Sequence, residues 1–169
     1  VDAREVLVEG YERLPGLVRA AVEGLGPQEL AWAPAPGANS VGWLVWHLIR
    51  GQDAQLAEVA DAGQVYADPR WAPRFGRPVE AADTGYGHTA TEAAAVRPES
   101  AEALLEYHDA VHARARAYLA DLTDGDLDRV VDRRWDPPVT LGVRLVSILD
   151  DCLQHIGQAA YLRGLLDRH

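Results

Sequence analysis

Leu141-Gly-Val-Arg-Leu-Val-Ser-Ile-Leu-Asp-Asp151-Cys-Leu-Gln-His155-Ile-Gly-Gln-Ala-Ala-Tyr-Leu-Arg-Gly-Leu-Leu166 decides the fold class. Leu141, Leu145, Ile148, Cys152, His155, Ala159, Leu162 and Leu166 follow one another at alternating steps of four and three. That spacing predicts a helix packed along a bundle core, capped by Thr140. One member of the seam is a histidine. Asp151 lies one turn before it on nearly the same face. A carboxylate and an imidazole at a core seam are costly to bury unless something satisfies them, and a divalent metal is one such partner.

Working outward, residues 2–24 read as a first helix capped by Asp2. Val6, Leu7, Leu14, Leu17, Val18, Ala21 and Leu25 form its expected apolar face, and Pro15 should kink or restart it. A second helix is expected over roughly 40–62, capped by Asn39 or Ser40. Its start, Val41-Gly-Trp-Leu-Val-Trp-His47-Leu-Ile49, is apolar almost all round and predicts deep burial. Gly51, one turn beyond His47, costs helix stability; space for a ligand beside His47 is a reason to keep it. Residues 63–98, punctuated by Pro69, Pro73, Gly76, Pro78, Gly85, Gly87 and Pro98, read as a long crossover. A short helix is expected within it over 89–95, the whole covering one end of the bundle. A third long helix is expected from Ser100 to Leu122 with the seam Ala101, Leu104, His108, Val111, Ala115, Tyr118, Leu122. Asp124–Leu127 suggests an extra turn, and Arg133–Pro138 an extended run. Four long helices and one long connection predict an all-α four-helix bundle, with 1–169 as one domain.

The composition narrows the function classes. The chain has 169 residues, 48% of them hydrophobic, as expected of a globular rather than a disordered protein. A formal charge of −10 disfavours nucleic acid and anionic membranes as partners. All 16 basic residues are arginine, which with abundant Ala and Gly fits a GC-rich bacterial genome. A single cysteine, Cys152, excludes an intrachain disulfide and a cysteine-based zinc cluster. No signal-peptide pattern opens the chain, and no apolar run reaches the roughly 20 residues of a membrane span; the expectation is a soluble cytoplasmic protein.

His47, Asp151 and His155 each point from an apolar helix face toward a presumed common core. Two imidazoles and one carboxylate would leave open positions for water or substrate, the composition of a catalytic metal site. From the residues alone, buried hydrogen-bonded histidines without metal are the favoured reading, with the metal site as the alternative. Asp150, five residues from His155, points roughly 140° away around the helix. His108 and His112 form a rival pair one turn apart. The protease signature is absent there, because Asp109 and not Glu follows His108. His88, in a glycine-flanked loop, reads either as an exposed loop residue or as a mobile acid or base over the site. Cys152 reads as a buried small hydrophobe, and Arg163 as a solvated charge or an anion-binding group. Ser147, in a helix interior without a Gly-x-Ser-x-Gly elbow, is no nucleophile.

Asn39-Ser-Val-Gly-Trp-Leu-Val-Trp-His47-Leu and Asp151-Cys-Leu-Gln-His155-Ile-Gly-Gln-Ala-Ala-Tyr-Leu-Arg-Gly together resemble the DinB-like (DinB/YfiT) superfamily, nearest its DUF664, mycothiol-transferase-like branch. The likeness extends over nearly the whole chain, including Tyr86-Gly-His88, Tyr107–His112 and Pro138–Leu145. It implies a four-helix bundle holding a divalent metal, often zinc or nickel. His47 matches the family's ligand on the second helix, and Asp151 and His155 match the pair on the last. Many relatives carry His where Asp151 stands. The carboxylate is similar to that of mycothiol-dependent maleylpyruvate isomerases. The resemblance further implies a low-molecular-weight thiol, mycothiol or a like compound, as cosubstrate with an electrophile; the lysine-free composition fits a mycothiol-producing actinobacterium. The expected function is therefore metal-dependent thiol transfer or isomerisation, with His88 or His108 moving protons and a homodimer as the assembly. The alternatives are a metal-dependent hydrolase and a non-catalytic, stress-related binding or dimerising module.

Overall fold

The computed structural model describes residues 1–168. The expected all-α bundle is borne out. Its first member is two helices, α1 (Ala3–Glu12) and α2 (Leu14–Val22), broken at Arg13 where Pro15 cannot continue the hydrogen-bond ladder. Asp2 caps α1 in a reciprocal box with Glu5: the Asp2 carboxylate accepts from the Glu5 backbone N–H at 2.7 Å, and the Glu5 carboxylate accepts from the Asp2 backbone N–H at 3.1 Å. A short turn, α3 (Pro27–Leu30), leads to α4 (Val41–Val59). The crossover carries a short α5 (Ala90–Ala94), capped by Thr89. Then come α6 (Ala101–Asp121) and α7 (Leu141–Leu166), whose N-caps are Ser100 and Thr140. In cross-section, α4 lies between α6 and α7, and the α1–α2 pair closes the ring from the other side.

Burial follows the seams with three corrections. Val6 and Leu17, assigned to the first helix's inner face, are exposed, and Tyr11 and Val22 take core places instead. On α7 the core series runs Cys152, Ile156, Ala159 rather than through His155. The helical period of 3.6 turns position 155 toward the edge of the α4 contact. His155 therefore lies at the rim of the core, half-buried. The segment before α7, expected only to be extended, pairs with the chain ahead of it. β1 (Val130–Asp132) and β2 (Val139–Thr140) form an antiparallel hairpin in which Val130 faces Thr140.

The crossover covers the bundle with aromatic rings. Tyr66, Trp71 and Phe75 are buried and pack on Tyr107 of α6, with ring centroids 5.1–5.7 Å apart. Each such ring brings a large apolar area out of water, so a segment poor in regular structure is still firmly held. Among the described residues no helix is long and apolar enough to cross a membrane.

Candidate metal centre

His47 sits in the second turn of α4, in a stretch where every residue from Val41 to Arg50 is buried. Its Nδ1 lies 2.6 Å from the Thr84 carbonyl. A carbonyl can only accept, so Nδ1 carries the proton and the lone pair is on Nε2. The Trp43 indole stacks on the ring at 4.6 Å between centroids. Burial in this apolar turn lowers the pKa of His47 and keeps the imidazole neutral, as a metal ligand must be.

Across the α4–α7 contact, His155 presents its ring edge to His47 at 4.7 Å. Its Nδ1 donates to the Gln158 side-chain oxygen at 2.9 Å, and its Nε2 stands 3.4 Å from Asp151 Oδ1. The bond to Asp151 raises the His155 pKa; the same bond lowers that of Asp151. One ligand atom from each of His47, Asp151 and His155 lies within 4.8 Å of the other two. Nitrogen and oxygen ligands around tetrahedral zinc stand about 3.4 Å apart. The His155–Asp151 separation already matches that, and the cluster as a whole needs to close slightly. Both imidazoles have Nδ1 tied to an oxygen acceptor, the arrangement that orients ligating histidines through their outer neighbours. The donor set thus fits a divalent cation. Asp151 is 40% exposed and His155 19%, so the cluster opens to solvent on the α7 side.

The other candidates fall elsewhere. His88 is partly buried and bonded at both ring nitrogens. Its Nδ1 accepts from Trp43 Nε1 at 3.2 Å, so its proton is on Nε2, which donates to Asp83 at 2.8 Å. It thereby holds Trp43, the residue stacked on His47. His108 is not brought to the cluster. It is 1% exposed and stacks on His112 at 5.8 Å, and burial pushes its pKa down to about 3. His112 in turn faces Glu12 of α1 at 3.7 Å. Asp150 points away and accepts from Gln154. Cys152 is fully buried against the Leu48 carbonyl. Arg163 is bound to Asp167 and the Glu23 carbonyl.

Gly51 also needs correction. A Cβ there would meet Asp151 Oδ2 at 3.4 Å, so the glycine lies against the carboxylate of the cluster rather than against the His47 ring. The glycine that leaves room at His47 is Gly85, at φ +88°, where a Cβ would lie 2.8 Å from Nδ1. Two groups were missed in the sequence: the Thr84 carbonyl and the Gly85 backbone beside it. Thr84-Gly-Tyr-Gly87 shows a tight turn, but nothing in it says which ring the turn meets.

The fold and this cluster define an all-α bundle with a candidate metal centre between two of its long helices. The chain belongs to the DinB superfamily, whose family model matches residues 11–159. A solved structure, described as the crystal structure of the conserved protein of a locus from Enterococcus faecalis, is similar over 100% of this chain and 99% of its own. The identity between the two is 32% and the TM-score 0.89. Among curated proteins, none matches the chain.

Proposed function

We propose that this protein is a divalent-metal-dependent enzyme of the mycothiol-transferase-like branch, using a low-molecular-weight thiol as nucleophile toward an electrophile. The observation that carries the metal reading is the pairing of Nδ1 on both histidines with fixed acceptors, which leaves two Nε2 atoms and one carboxylate converging. Zinc and nickel both suit two imidazoles and a carboxylate. His47, Asp151 and His155 would hold such an ion, which would supply Lewis acidity to lower the pKa of a thiol sharing the site.

The chain's own residues prepare the site. His47 is kept neutral by its buried position, and Asp151 ionised by its neighbour His155. The Trp43 face walls off one side. On the outer side, Gln158 both holds His155 and lines an open groove of about 270 Å³ with Asn39, Leu44, Tyr161 and Leu162. In this reading the groove takes the body of the cosubstrate, with polar Asn39, Gln158 and Tyr161 suited to a hydroxylated group. None of the three donors lines this groove or a larger cleft of about 410 Å³ between α4 and α6; the groove is tied to the cluster through Gln158, which accepts from His155. His88 serves to hold Trp43, and proton transfer falls to solvent or substrate groups.

The test is elemental analysis of protein purified without a histidine tag, in wild type and His155→Ala, followed by thiol-consumption assays with electrophiles. One metal equivalent lost in the variant, with metal-dependent thiol consumption, is the expected result. Metal-dependent ester or amide hydrolysis without thiol consumption would overturn the thiol reading. A wild type that takes up neither zinc nor nickel would overturn the whole proposal.

A further inference from the structure

Arg50 follows His47 by one turn on α4 and is fully buried. A guanidinium left unpaired there would be strongly destabilising, so the destinations of its donors are informative. All five N–H groups have acceptors. Nε donates to the Asp83 carbonyl at 3.0 Å. Nη2 donates to the Ala81 carbonyl at 2.8 Å and to Gln64 Oε1 at 2.9 Å. Nη1 donates to Tyr107 Oη at 3.1 Å and to Asp53 Oδ2 at 3.4 Å. Asp53 in turn accepts from the Tyr107 hydroxyl and from the backbone of Val65 and Tyr66. The Tyr66 ring lies 4.0 Å from the guanidinium.

Two of the five donors thus hold the backbone of one short loop, Ala81–Asp83. The next residue is Thr84, whose carbonyl meets His47. The loop has a second fastening at the Asp83 carboxylate, which accepts from Arg77 Nε at 2.8 Å and from His88. Beyond Thr84 the chain passes so near His47 and Trp46 that only glycine fits at position 85: a Cβ would come within 2.8 Å and 3.0 Å of their rings.

We propose that Arg50 is a positioning residue for the metal centre: by binding the Ala81 and Asp83 carbonyls it holds the Thr84 carbonyl on His47 Nδ1, which commits the His47 lone pair to Nε2. Arg50 itself touches no ligand atom of the cluster. The proposal rests on reading His47 as a ligand, and it deepens that reading by assigning the geometry of the ligand to a cation one turn away. Freed from the carbonyl, the imidazole would turn and exchange its proton between the two nitrogens, and a share of molecules would present an N–H to the metal.

The test reads the His47 tautomer by long-range proton–nitrogen NMR in protein stripped of metal, at a pH above the imidazole range. Zinc affinity is measured in parallel by competition with a chromophoric chelator. Arg50→Lys keeps a charge opposite Asp53 but lacks the planar fork that spans two carbonyls. If that variant does not fold, Arg50→Met with Asp53→Asn leaves no buried charge unpaired. Gly85→Ala displaces the loop while leaving the Arg50 network intact. The expected result is a single Nδ1–H tautomer in wild type and a mixture in the variants, with zinc affinity lowered roughly 10–100-fold. A folded Arg50 variant that keeps the single tautomer, or loses it without losing zinc affinity, would overturn the proposal. A wild type that binds no zinc would sink the metal reading, and the tautomer would then judge the clamp alone.

Discussion

His47 and His155 meet edge to face across the α4–α7 contact, with ring centroids 4.7 Å apart and planes at 74°. So close a pair resists carrying two positive charges, and the environment decides which ring takes the proton. Burial, and the charge on His155, hold His47 neutral, whereas Asp151 beside it makes His155 the basic member. A divalent cation would therefore displace about one proton, that of His155, on binding. Zinc affinity should fall tenfold per pH unit below the His155 pKa, and the fall should begin above 6.5 because that pKa is raised. Calorimetry in buffers of different ionisation enthalpy measures the proton released. Release of no proton near pH 6.5 would contradict this assignment.

Asp151 is the one carboxylate of the cluster, and its geometry makes exchange for a histidine tolerable. The position is 40% exposed and faces His155 across one helical turn. Asp151→His should retain stoichiometric zinc, with the pH dependence steepened because a second imidazole must lose its proton. Asp151→Ala should weaken binding by at least an order of magnitude, since only two donors remain. Equal affinity in Asp151→Ala and wild type would remove the carboxylate from the site.

Gly51 offers a stability test that separates its two readings. Alanine in a helix interior is favoured over glycine by about 1 kcal/mol, and the added Cβ would make only an ordinary contact with Asp151 Oδ2 at 3.4 Å. Gly51→Ala should raise the melting temperature by about 2–4 °C and change zinc affinity little. A large loss of metal binding would restore the idea that this glycine makes room for a ligand.

These tests follow the division between what could be read in the sequence and what could not. The long helices were legible because their seams repeat at helical spacing and Asp2, Ser40, Ser100 and Thr140 announce their starts. The convergence of His47 with Asp151 and His155 could not be read from spacing, because they lie far apart in the chain; their apolar faces suggested it and the family resemblance supplied it. The place of His155 was not legible either: Ile156 takes the core position beside it, although Ala159 and Leu162 of the same seam stay buried. The support of the site was illegible for another reason. Thr84 contributes a carbonyl, which every residue has, and Arg50 is tolerable in a buried turn only because a distant loop brings it acceptors.

Acid should destabilise the protein well before its carboxylates titrate. His108, His112 and His47 all have pKa values lowered chiefly by burial, so each is bound to more protons unfolded than folded below 6.5. The stability they contribute is present above pH 6.5 and is lost as the pH falls toward their folded values. For His108, lowered from 6.5 to about 3, the full linkage is on the order of 5 kcal/mol at roughly 1.4 kcal/mol per unit. His155 acts in the opposite sense, since its raised value favours folding below 6.5 and loses that contribution as the pH rises through it. Between pH 6.5 and 4, Asp83 and Asp151 stay ionised because their values are lowered, so the loss there belongs to the histidines. Denaturant unfolding across that range should show a steep fall in wild type and a shallower one in His108→Phe. Parallel profiles would contradict the role of His108.

Cys152 tests where a thiol nucleophile would have to come from. It is the chain's one cysteine, it is fully buried, and its Sγ faces the Leu48 carbonyl at 3.9 Å. Burial raises its pKa far above that of a reactive thiol, so the thiolate form is suppressed. It lies one residue from Asp151 yet on the core side of α7, turned away from the open face of the cluster. An aromatic disulfide reagent should therefore leave the folded protein unlabelled, and labelling should track global unfolding in denaturant. Cys152→Ala should bind zinc as wild type does and keep any thiol-dependent turnover. Rapid labelling of the folded protein, or loss of turnover with metal retained, would make Cys152 a participant and would shift the nucleophile from an added thiol to the protein itself.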